Sequence, residues 1–294
     1  MDWDDLRYLL AAHRAGSIAG AARVLGVTKA TASRRLAALE SALDARLFDR
    51  TRDGLALTAA GQAVVDAARG MDETVSMLKD AVLDASQSQP QGVVRVTAPP
   101  WLADRYIVPS LSELGEQYPG IEVRLVTSNH LLNLGEREAD LAIRNVRPTQ
   151  QSLAVRKLVE LGGCVYASSL YLDRRGMPGG REDLPKHDVL VYESLGGMPG
   201  FEWLSEQGTG AKVAFRANDP VALVGAATAG LGLAAVPCLL GDAEPSLRRV
   251  PALGFSRCDM FLVSTEAART AARTRIVGDF LANVFARNRA VIEG

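Results

Sequence analysis

In the first ninety positions, apolar residues recur at intervals of three and four, the spacing that predicts amphipathic helices. A first helix ends at Gly16, and Ser17 is a predicted N-cap, because its hydroxyl can accept from the free N–H groups of the following turn. This second helix runs to Leu25, and a third begins behind Thr28 after a short turn containing Gly26. Two helices joined by such a turn predict a helix-turn-helix. The residues at this spacing are Leu6, Leu9, Leu10 and His13 in the first helix and Ile18, Ala21, Ala22 and Leu25 in the second.

The third helix has two contrasting faces. One is an apolar stripe that we expect to be buried. The other carries a cation, a small apolar side chain, a hydroxyl and a guanidinium near the helix N-terminus, groups that can reach base edges and phosphates in a major groove. From periodicity alone, a small helical bundle with a solvated polar face would be the commoner structure. The stripe consists of Ala32, Leu36, Leu39 and Leu43, and the polar face of Lys29, Ala30, Ser33 and Arg34.

Residues 50–58 are a predicted β-hairpin. Asp53-Gly54 lies between two extended segments, and this dipeptide favours hairpin turns. Arg50 and Arg52 lie near the predicted tip. A basic hairpin directly after a candidate recognition helix indicates a wing that contacts the DNA backbone or minor groove, and it favours DNA binding over the plain bundle.

A heptad pattern follows the hairpin. Thr58 can cap a long helix that runs to about Ala85. Six apolar residues repeat along it at a 4-3-4-3-4 spacing, which predicts dimerisation through a coiled coil. Packing of this helix on its own domain is the alternative. The seam residues are Val64, Ala68, Met71, Val75, Leu78 and Val82, and the polar, breaker-rich residues 86–92 that follow predict a hinge.

From Val93 onward, β-rich runs alternate with helical ones. Val93–Thr97, Ile121–Val126 and Asp140–Arg144 are predicted strands, and their alternation with helices is typical of a parallel α/β sheet. Such sheets bind ligands in a crevice beyond the carboxyl ends of their strands. The sequence therefore predicts a ligand-binding domain after the linker.

The uncharged run Val221–Leu240 has the length of a membrane span. Glycines and a proline interrupt it, however, and alanine predominates over leucine. We interpret it as a buried helix, a glycine turn and a short core strand, and expect no membrane partner.

Composition narrows the function. A chain of 294 residues with 48% hydrophobic and 23% charged residues predicts two or more folded domains and excludes wholesale disorder. The net charge is only −1, so a DNA-binding surface must be local. Residues 14–52 carry eight basic and three acidic side chains, a basic island suited to phosphates.

The sequence gives little support for a disulfide framework, a metal site, a dinucleotide site or a catalytic serine. Three scattered cysteines and three histidines predict neither a disulfide framework nor a metal site, and we expect no cofactor. Gly230-Leu-Gly232 lacks the third glycine of a dinucleotide fingerprint, and no serine has a nucleophile-elbow context. The acidic N-terminus has no signal-peptide pattern, which favours a cytoplasmic protein.

Three runs, in order and spacing, resemble the LysR-type transcriptional regulators: Ser17–Glu40, Leu47–Thr51 and Leu57–Gly61. The family commonly has Gln and Pro where this chain has Lys29 and Ala30. Because Lys prefers guanine or phosphate over the adenine edge that Gln reads, the operator is expected to differ from the usual type. The resemblance implies that Lys29, Ala30, Ser33 and Arg34 face bases and that Ser17, Thr31, Arg50 and Arg52 lie near phosphates or in the wing, with Thr28 and Arg35 completing the predicted DNA-binding set.

The resemblance continues in the runs Val94–Pro99, Tyr118–Leu125 and Ala139–Arg144, which are similar to the effector domain of this family. It implies a fold like that of periplasmic solute-binding proteins, with two lobes joined by two crossovers. The expected architecture is an all-α winged helix-turn-helix (1–58), a long linker helix with a hinge (59–90), and an α/β two-lobed effector domain (91–294). Lobe I is expected at 91–161 and 266–294, and lobe II at 162–265.

Strand ends and the resemblance together predict an effector cleft. Arg144 is the candidate for an anionic effector, with a salt bridge between lobes or at the surface as the alternative. Trp101 offers a stacking face or fills core space. Arg156 and Glu193 are secondary candidates. The predicted lining is Ala98, Pro99, Pro100, Trp101, Thr127, Ser128, Asn129, Arg144, Asn145, Asn218 and Asp219.

These features predict a bacterial DNA-binding transcription regulator that responds to a small-molecule effector. The expected partners are a pseudo-palindromic double-stranded operator, an organic acid or aromatic effector, and a second copy of the chain, with RNA polymerase as a further contact. The resemblance implies tetramers as the usual assembly. The alternative is a DNA-tethered α/β enzyme.

Overall fold

The computed structural model describes residues 2–51, 54–68, 71, 78, 89–129, 139–148, 150, 153–193, 200–205 and 210–294. The chain divides into two compact units, Met1–Ser86 and Gln87–Gly294. The predicted wing residue Arg52 and the seam residues Val75 and Val82 lie outside the described residues, and Arg50 is described in its backbone only.

The first unit contains the predicted helix-turn-helix and hairpin. Ser17 and Thr28 are N-caps, as predicted, and their hydroxyls accept from the N–H groups of the first turns. Gly16 and Gly26 end the first two helices with φ of 62° and 68°, a conformation that glycine adopts without a steric penalty. The elements are α1 (Trp3–Ala15), α2 (Ile18–Leu25), α3 (Lys29–Leu43), β1 (Phe48–Thr51), β2 (Gly54–Leu57) and α4, helical over 59–68 and again at 71 and 78.

One apolar core holds this unit together. Three of the four stripe residues predicted on α3 are buried in it, whereas Leu43 is exposed, which corrects that part of the prediction. The reason is that α3 ends at Leu43. Asp44 turns the chain with a φ of 47°, and the fully buried Leu47 enters the core from the segment that follows. The buried stripe residues are Ala32, Leu36 and Leu39.

The second unit is built on one mixed sheet of nine strands. Its spatial order is β4-β3-β5-β11-β6-β9-β7-β8, with β10 paired to β6. β3 lies parallel to β4 and β5, as the alternating sequence pattern predicted, and β7 lies parallel to β8 and β9. The strands are β3 (Gly92–Ala98), β4 (Ile121–Thr127), β5 (Leu141–Arg144), β6 (Leu153–Ser168), β7 (Asp188–Tyr192), β8 (Lys212–Ala217), β9 (Leu233–Pro237), β10 (Leu247–Arg249) and β11 (Phe255–Thr265).

Two long antiparallel strands, β6 and β11, join the two lobes. They pair from Leu153↔Thr265 to Cys164↔Phe255. The last residues of β11 also pair with β5 in lobe I. The second crossover between the lobes therefore lies within β11, whereas the sequence placed it after residue 265. One continuous strand connects the lobes because β11 pairs with β6 along its whole length and with β5 of lobe I at its end.

Helices cover both lobes. α5 (Pro100–Leu102) leads through a π-helical turn (Ala103–Ile107) into α6 (Val108–Gln117). The closing helix α11 returns to lobe I as predicted, with Val277 and Leu281 fully buried there. The remaining α-helices are α7 (Ser169–Arg175), α8 (Pro220–Thr228), α9 (Cys238–Gly241), α10 (Glu266–Thr270), α11 (Ala272–Arg287) and α12 (Arg289–Glu293), and 3₁₀ turns lie at Arg181–Lys186, Glu202–Ser205 and Pro251–Leu253.

The uncharged run at 221–240 folds as the sequence predicted. It forms most of α8, a turn at Gly230 with φ of 79°, and the fully buried strand β9. Within the described residues, no helix combines the length and apolar character needed to cross a membrane.

Candidate nucleic-acid interface and effector cleft

The N-terminal half of α3 exposes the predicted recognition face. Lys29, Ala30, Ser33 and Arg34 are exposed, while Ala32 is fully buried on the opposite side. Among the residues that the structure describes, no carboxylate lies within ion-pair distance of the Lys29 or Arg34 side chain. Both charges are thus open to an external anion.

The first turn of α3 is held by hydroxyl groups. Thr28 Oγ1 accepts a hydrogen bond of 3.1 Å from the Thr31 N–H and lies 2.9 Å from Thr31 Oγ1. Both predicted DNA-binding threonines therefore already serve the N-cap. Their contribution is to hold the start of the recognition helix in place.

Ser17 has the same capping role at α2. Its Oγ accepts from the Gly20 N–H at 3.0 Å. A Cβ at Gly20 would lie 2.6 Å from the Ala15 Cβ, so the close approach of α2 to α1 requires glycine there. The contact keeps the two helices in register ahead of the turn.

The hairpin is anchored at both ends. Leu55 N–H donates to the Gly16 carbonyl at 3.0 Å, and a Cβ at Gly54 would lie 2.5 Å from the same oxygen. At the other end, Glu40 Oε1 accepts from the Leu47 N–H at 2.8 Å. The sequence did not indicate this role of Glu40, because Leu47 comes close to it only when the chain folds back after α3. These bonds tie the hairpin to the end of α1 near its turn and to α3 at its base.

Arg35 lies apart from the recognition face. Its Nη1 donates to Asp2 at 3.1 Å and to Asp5 at 3.2 Å, and Asp5 is buried. The hydrogen bond to Asp2, followed in size by the one to Asp5, raises the pKa of Arg35. The structure thus pairs this predicted DNA-binding residue with carboxylates of its own unit.

The described seam residues of the linker helix differ in their surroundings. Val64, Ala68 and Met71 pack against the helix-turn-helix core, together with the fully buried Val65. Leu78 is 64% exposed. Packing on its own domain therefore explains the start of the seam, and the prediction of dimerisation now depends on Leu78 and the seam residues outside the described ranges.

The predicted effector residues of lobe I converge at the carboxyl ends of three neighbouring strands. Ala98 pairs with Thr127 at the ends of β3 and β4, and the Ser128 N–H donates to the Ala98 carbonyl at 3.0 Å. Arg144 ends β5 beside them. Pro99, Pro100, Ser128 and Asn145 are half-buried, and Thr127 is exposed.

Trp101 belongs to the hydrophobic core of lobe I. It is buried, so of the two roles open from sequence the structure supports filling core space.

Arg144 is a buried cation at the end of its strand. Its Nη1 donates to the Ile143 carbonyl and its Nη2 to Thr97 Oγ1, both at 2.8 Å. In the described part of the chain no carboxylate pairs with it, so neither predicted salt bridge is present. Burial lowers the pKa of Arg144 to about 10. Thr97, fully buried, is a site residue that the sequence reasoning missed, although its place near the end of β3 could have indicated it.

A hydrogen bond connects the two lobes next to these residues. Asn129 Nδ2 donates to the Asn218 carbonyl at 2.9 Å. Asn129 Oδ1 is buried, and no donor among the described residues is hydrogen-bonded to it. Asp219 caps α8 by accepting from the Val221 N–H at 3.2 Å.

The secondary candidates lie elsewhere. Arg156 donates to Asp279 on α11 at 2.7 Å, within lobe I, and Glu193 lies 4.0 Å from Arg216. The structure thus brings together the strand-end residues and not these two.

Each of the two units matches a known protein family. The model of the "Bacterial regulatory helix-turn-helix protein, lysR family" matches residues 3–62, and that of the "LysR substrate binding domain" matches residues 87–286. An HTH-type transcriptional regulator of Xanthomonas campestris pv. campestris is 35% identical over 225 residues, 74% of this chain but only 65% of that protein. The HTH-type transcriptional activator AaeR of Escherichia coli is 30% identical over 228 residues, 76% of this chain and 73% of that protein.

A solved structure extends the likeness to the whole chain. The LysR-type transcriptional regulator CrgA from Neisseria meningitidis is 26% identical and has a TM-score of 0.58, covering 97% of this chain and 99% of that one. The likeness to this LysR-type regulator therefore extends over both units of the chain. The chain belongs to the LysR family of DNA-binding transcriptional regulators, with an N-terminal helix-turn-helix and a C-terminal effector-binding domain.

Proposed function

We propose that this regulator binds a pseudo-palindromic double-stranded operator with α3 in the major groove. The observation that carries the proposal is the exposed N-terminal face of α3. Lys29 and Arg34 there have no described carboxylate partner, whereas the adjacent Arg35 is bound to Asp2 and Asp5. Exposed cations at a helix N-terminus suit phosphate and base contacts.

The identity of Lys29 bears on the operator. Lys donates and does not accept, so it favours the acceptors of guanine or a phosphate over the adenine edge. We expect the half-site to carry guanine at the position that Lys29 reaches.

Two copies of the reader are needed for a pseudo-palindrome. A homodimer through the linker helix, with a tetramer as the larger assembly, would present two recognition helices on one side of the duplex. Such a complex would act in the cytoplasm and contact RNA polymerase at the promoter. The relatives described above are named as transcriptional regulators, so the alternative of a DNA-tethered enzyme has no support from them.

The effector, in this proposal, is a small organic acid bound between the lobes. A buried guanidinium without a counter-ion is unfavourable unless an anion joins it. Arg144 is such a group in the described chain. The burial of Trp101 favours an organic acid over an aromatic stack. A ligand that prefers one lobe arrangement shifts the DNA-bound state toward it.

A gel-shift titration tests the DNA-binding face. Arg34→Ala should weaken operator affinity by about ten- to hundredfold and reduce the salt slope of binding by about one. Arg7→Ala is the matched control, since Arg7 on α1 pairs with Asp4 at 2.7 Å and lies outside the face. Unchanged affinity in Arg34→Ala, or an equal loss in both variants, would show that the recognition face is assigned wrongly.

A further inference from the structure

Lobe I contains a cavity that is separate from the cleft. Its volume is about 550 Å³, and it lies between the start of β6, the end of β11 and helices α10 and α11. Pockets for small molecules span roughly 300–1,000 Å³. Leu141, which lines it, begins β5, while Arg144 ends the same strand, which separates the two sites by about 10 Å along the strand.

The cavity combines an apolar floor with a cationic rim. Leu141, Val155 and Leu262 supply the apolar part. The charged groups of the lining are three arginines and one aspartate, so positive charge is in excess. They are Arg156, Arg269, Arg275 and Asp279.

The aspartate is already compensated. Asp279 Oδ1 accepts from Arg156 at 2.7 Å, across the cavity from strand β6 to helix α11. No carboxylate in the described part of the chain lies within ion-pair distance of Arg275. The positive charge of Arg275 is therefore available to a ligand.

We propose that this cavity binds a small organic anion. Its carboxylate would lie on the side of Arg275, because the planar guanidinium fork matches carboxylate geometry. Its apolar body would cover the floor of Leu141, Val155 and Leu262. An inorganic anion would leave that floor uncovered, and a neutral apolar molecule would leave the charge of Arg275 unused.

The position gives such a ligand a route to regulation. The cavity is lined by Arg156 of β6 and by Leu262 and Ser264 of β11, the two strands that join the lobes. A ligand that favours one arrangement of these strands would change the equilibrium between lobe arrangements from a second site.

Thiol protection in the full-length protein tests the proposal. Cys164, Cys238 and Cys258 are all buried, so a cysteine introduced by Thr270→Cys at the cavity would be the reactive thiol. The probe is 2-naphthoate, with 2-naphthamide as its neutral analogue and iodoacetamide as the label. Glu116→Cys, exposed on α6, is the control for general effects on labelling.

We expect 2-naphthoate to slow labelling at Thr270→Cys in a saturable way and to leave Glu116→Cys unaffected. Adding Arg275→Gln should raise the half-protecting concentration by roughly tenfold, since one charge-assisted hydrogen bond is lost. Arg144→Gln should leave protection at this site unchanged.

Absence of saturable protection, equal protection by 2-naphthamide, or an Arg275→Gln variant as sensitive as its parent would each overturn the proposal. Loss of protection in Arg144→Gln alone would assign the ligand to the cleft. That result would overturn the second site and leave the cleft as the effector site.

Discussion

Replacing the buried Arg144 by methionine should stabilise the protein in the absence of ligand. Arg144 lies at the end of β5. In the described chain it donates only to Ile143 O and Thr97 Oγ1, and it has no anionic partner there. Methionine has a similar length and carries no charge to desolvate. The change therefore removes a buried cation and keeps much of the volume.

The magnitude follows from the pKa of Arg144. Burial lowers it to about 10, and at 1.36 kcal/mol per pKa unit this corresponds to roughly 3 kcal/mol against the charged form in the folded state. Two hydrogen bonds from the guanidinium, each worth about 1 kcal/mol, offset part of that term. We expect Arg144→Met to raise the free energy of unfolding by about 1 kcal/mol, a rise in Tm of roughly 2–4 °C.

The pH dependence has a definite sign. Because the folded pKa of about 10 lies below the unfolded one, the unfolded state binds more protons at pH values between the two. The stability of the wild type therefore rises relative to Arg144→Met as pH passes through about 10. At neutral pH both states are protonated, and the advantage of the variant is fully present.

Thermal unfolding followed by tryptophan fluorescence provides the assay, since Trp101 is buried in the core of lobe I. Arg144→Lys is the matched control. It keeps the buried charge and loses the guanidinium fork, so its Tm should fall below that of the wild type. In an Arg275→Gln background, which weakens binding in the lobe I cavity, organic acids should raise the Tm of the protein that keeps Arg144 and have little effect once Arg144→Met is added. A methionine variant that unfolds several degrees below the wild type would refute the reasoning that this cation is unfavourable without its ligand.

Two further predictions concern the first unit and its linker. Leu78→Glu should shift the protein toward monomers in light scattering, because a charge in an apolar seam must be desolvated. The control Val24→Glu, on the exposed face of α2, should leave the dimer intact. A dimer that persists in Leu78→Glu would contradict dimerisation through the linker helix. Gly61→Ala should lower the free energy of unfolding by about 2 kcal/mol, because a Cβ there overlaps the Leu47 carbonyl oxygen. Gly115→Ala in α6, where a Cβ meets nothing within 4 Å, should instead gain about 0.5–1 kcal/mol, so chemical denaturation that shows equal effects for the two would argue against the close contact at Gly61.

Local patterns determined much of the fold in advance. The caps Ser17 and Thr28, the glycine turns, and the buried stripe to Leu39 were predicted correctly, since each depends on neighbours within one or two helical turns. The same is true of the uncharged run at 221–240, whose glycines separate α8 from β9. The parallel arrangement of β3, β4 and β5 also followed from the alternation of strands and helices.

Tertiary structure alone decided the roles of several charged and aromatic residues. Arg34 and Arg35 are adjacent and identical in type, yet only Arg35 meets a buried carboxylate, supplied by Asp5 from thirty residues earlier. Trp101 could have faced the cleft or the core, and the packing of α11 and the sheet places it in the core. No local pattern encodes such partners, because they come into contact only when distant segments pack together.

Arg144 in the cleft illustrates both contributions, that of the sequence and that of the tertiary structure. Its position at the end of a predicted strand was enough to single out Arg144, since strand ends of parallel sheets meet at one edge. Its burial, its bond to Thr97 and the absence of a carboxylate among its described neighbours depend on β3 and β5 lying side by side. The sequence alone could name the cation, and only the folded sheet determines that it is desolvated and available to an anion.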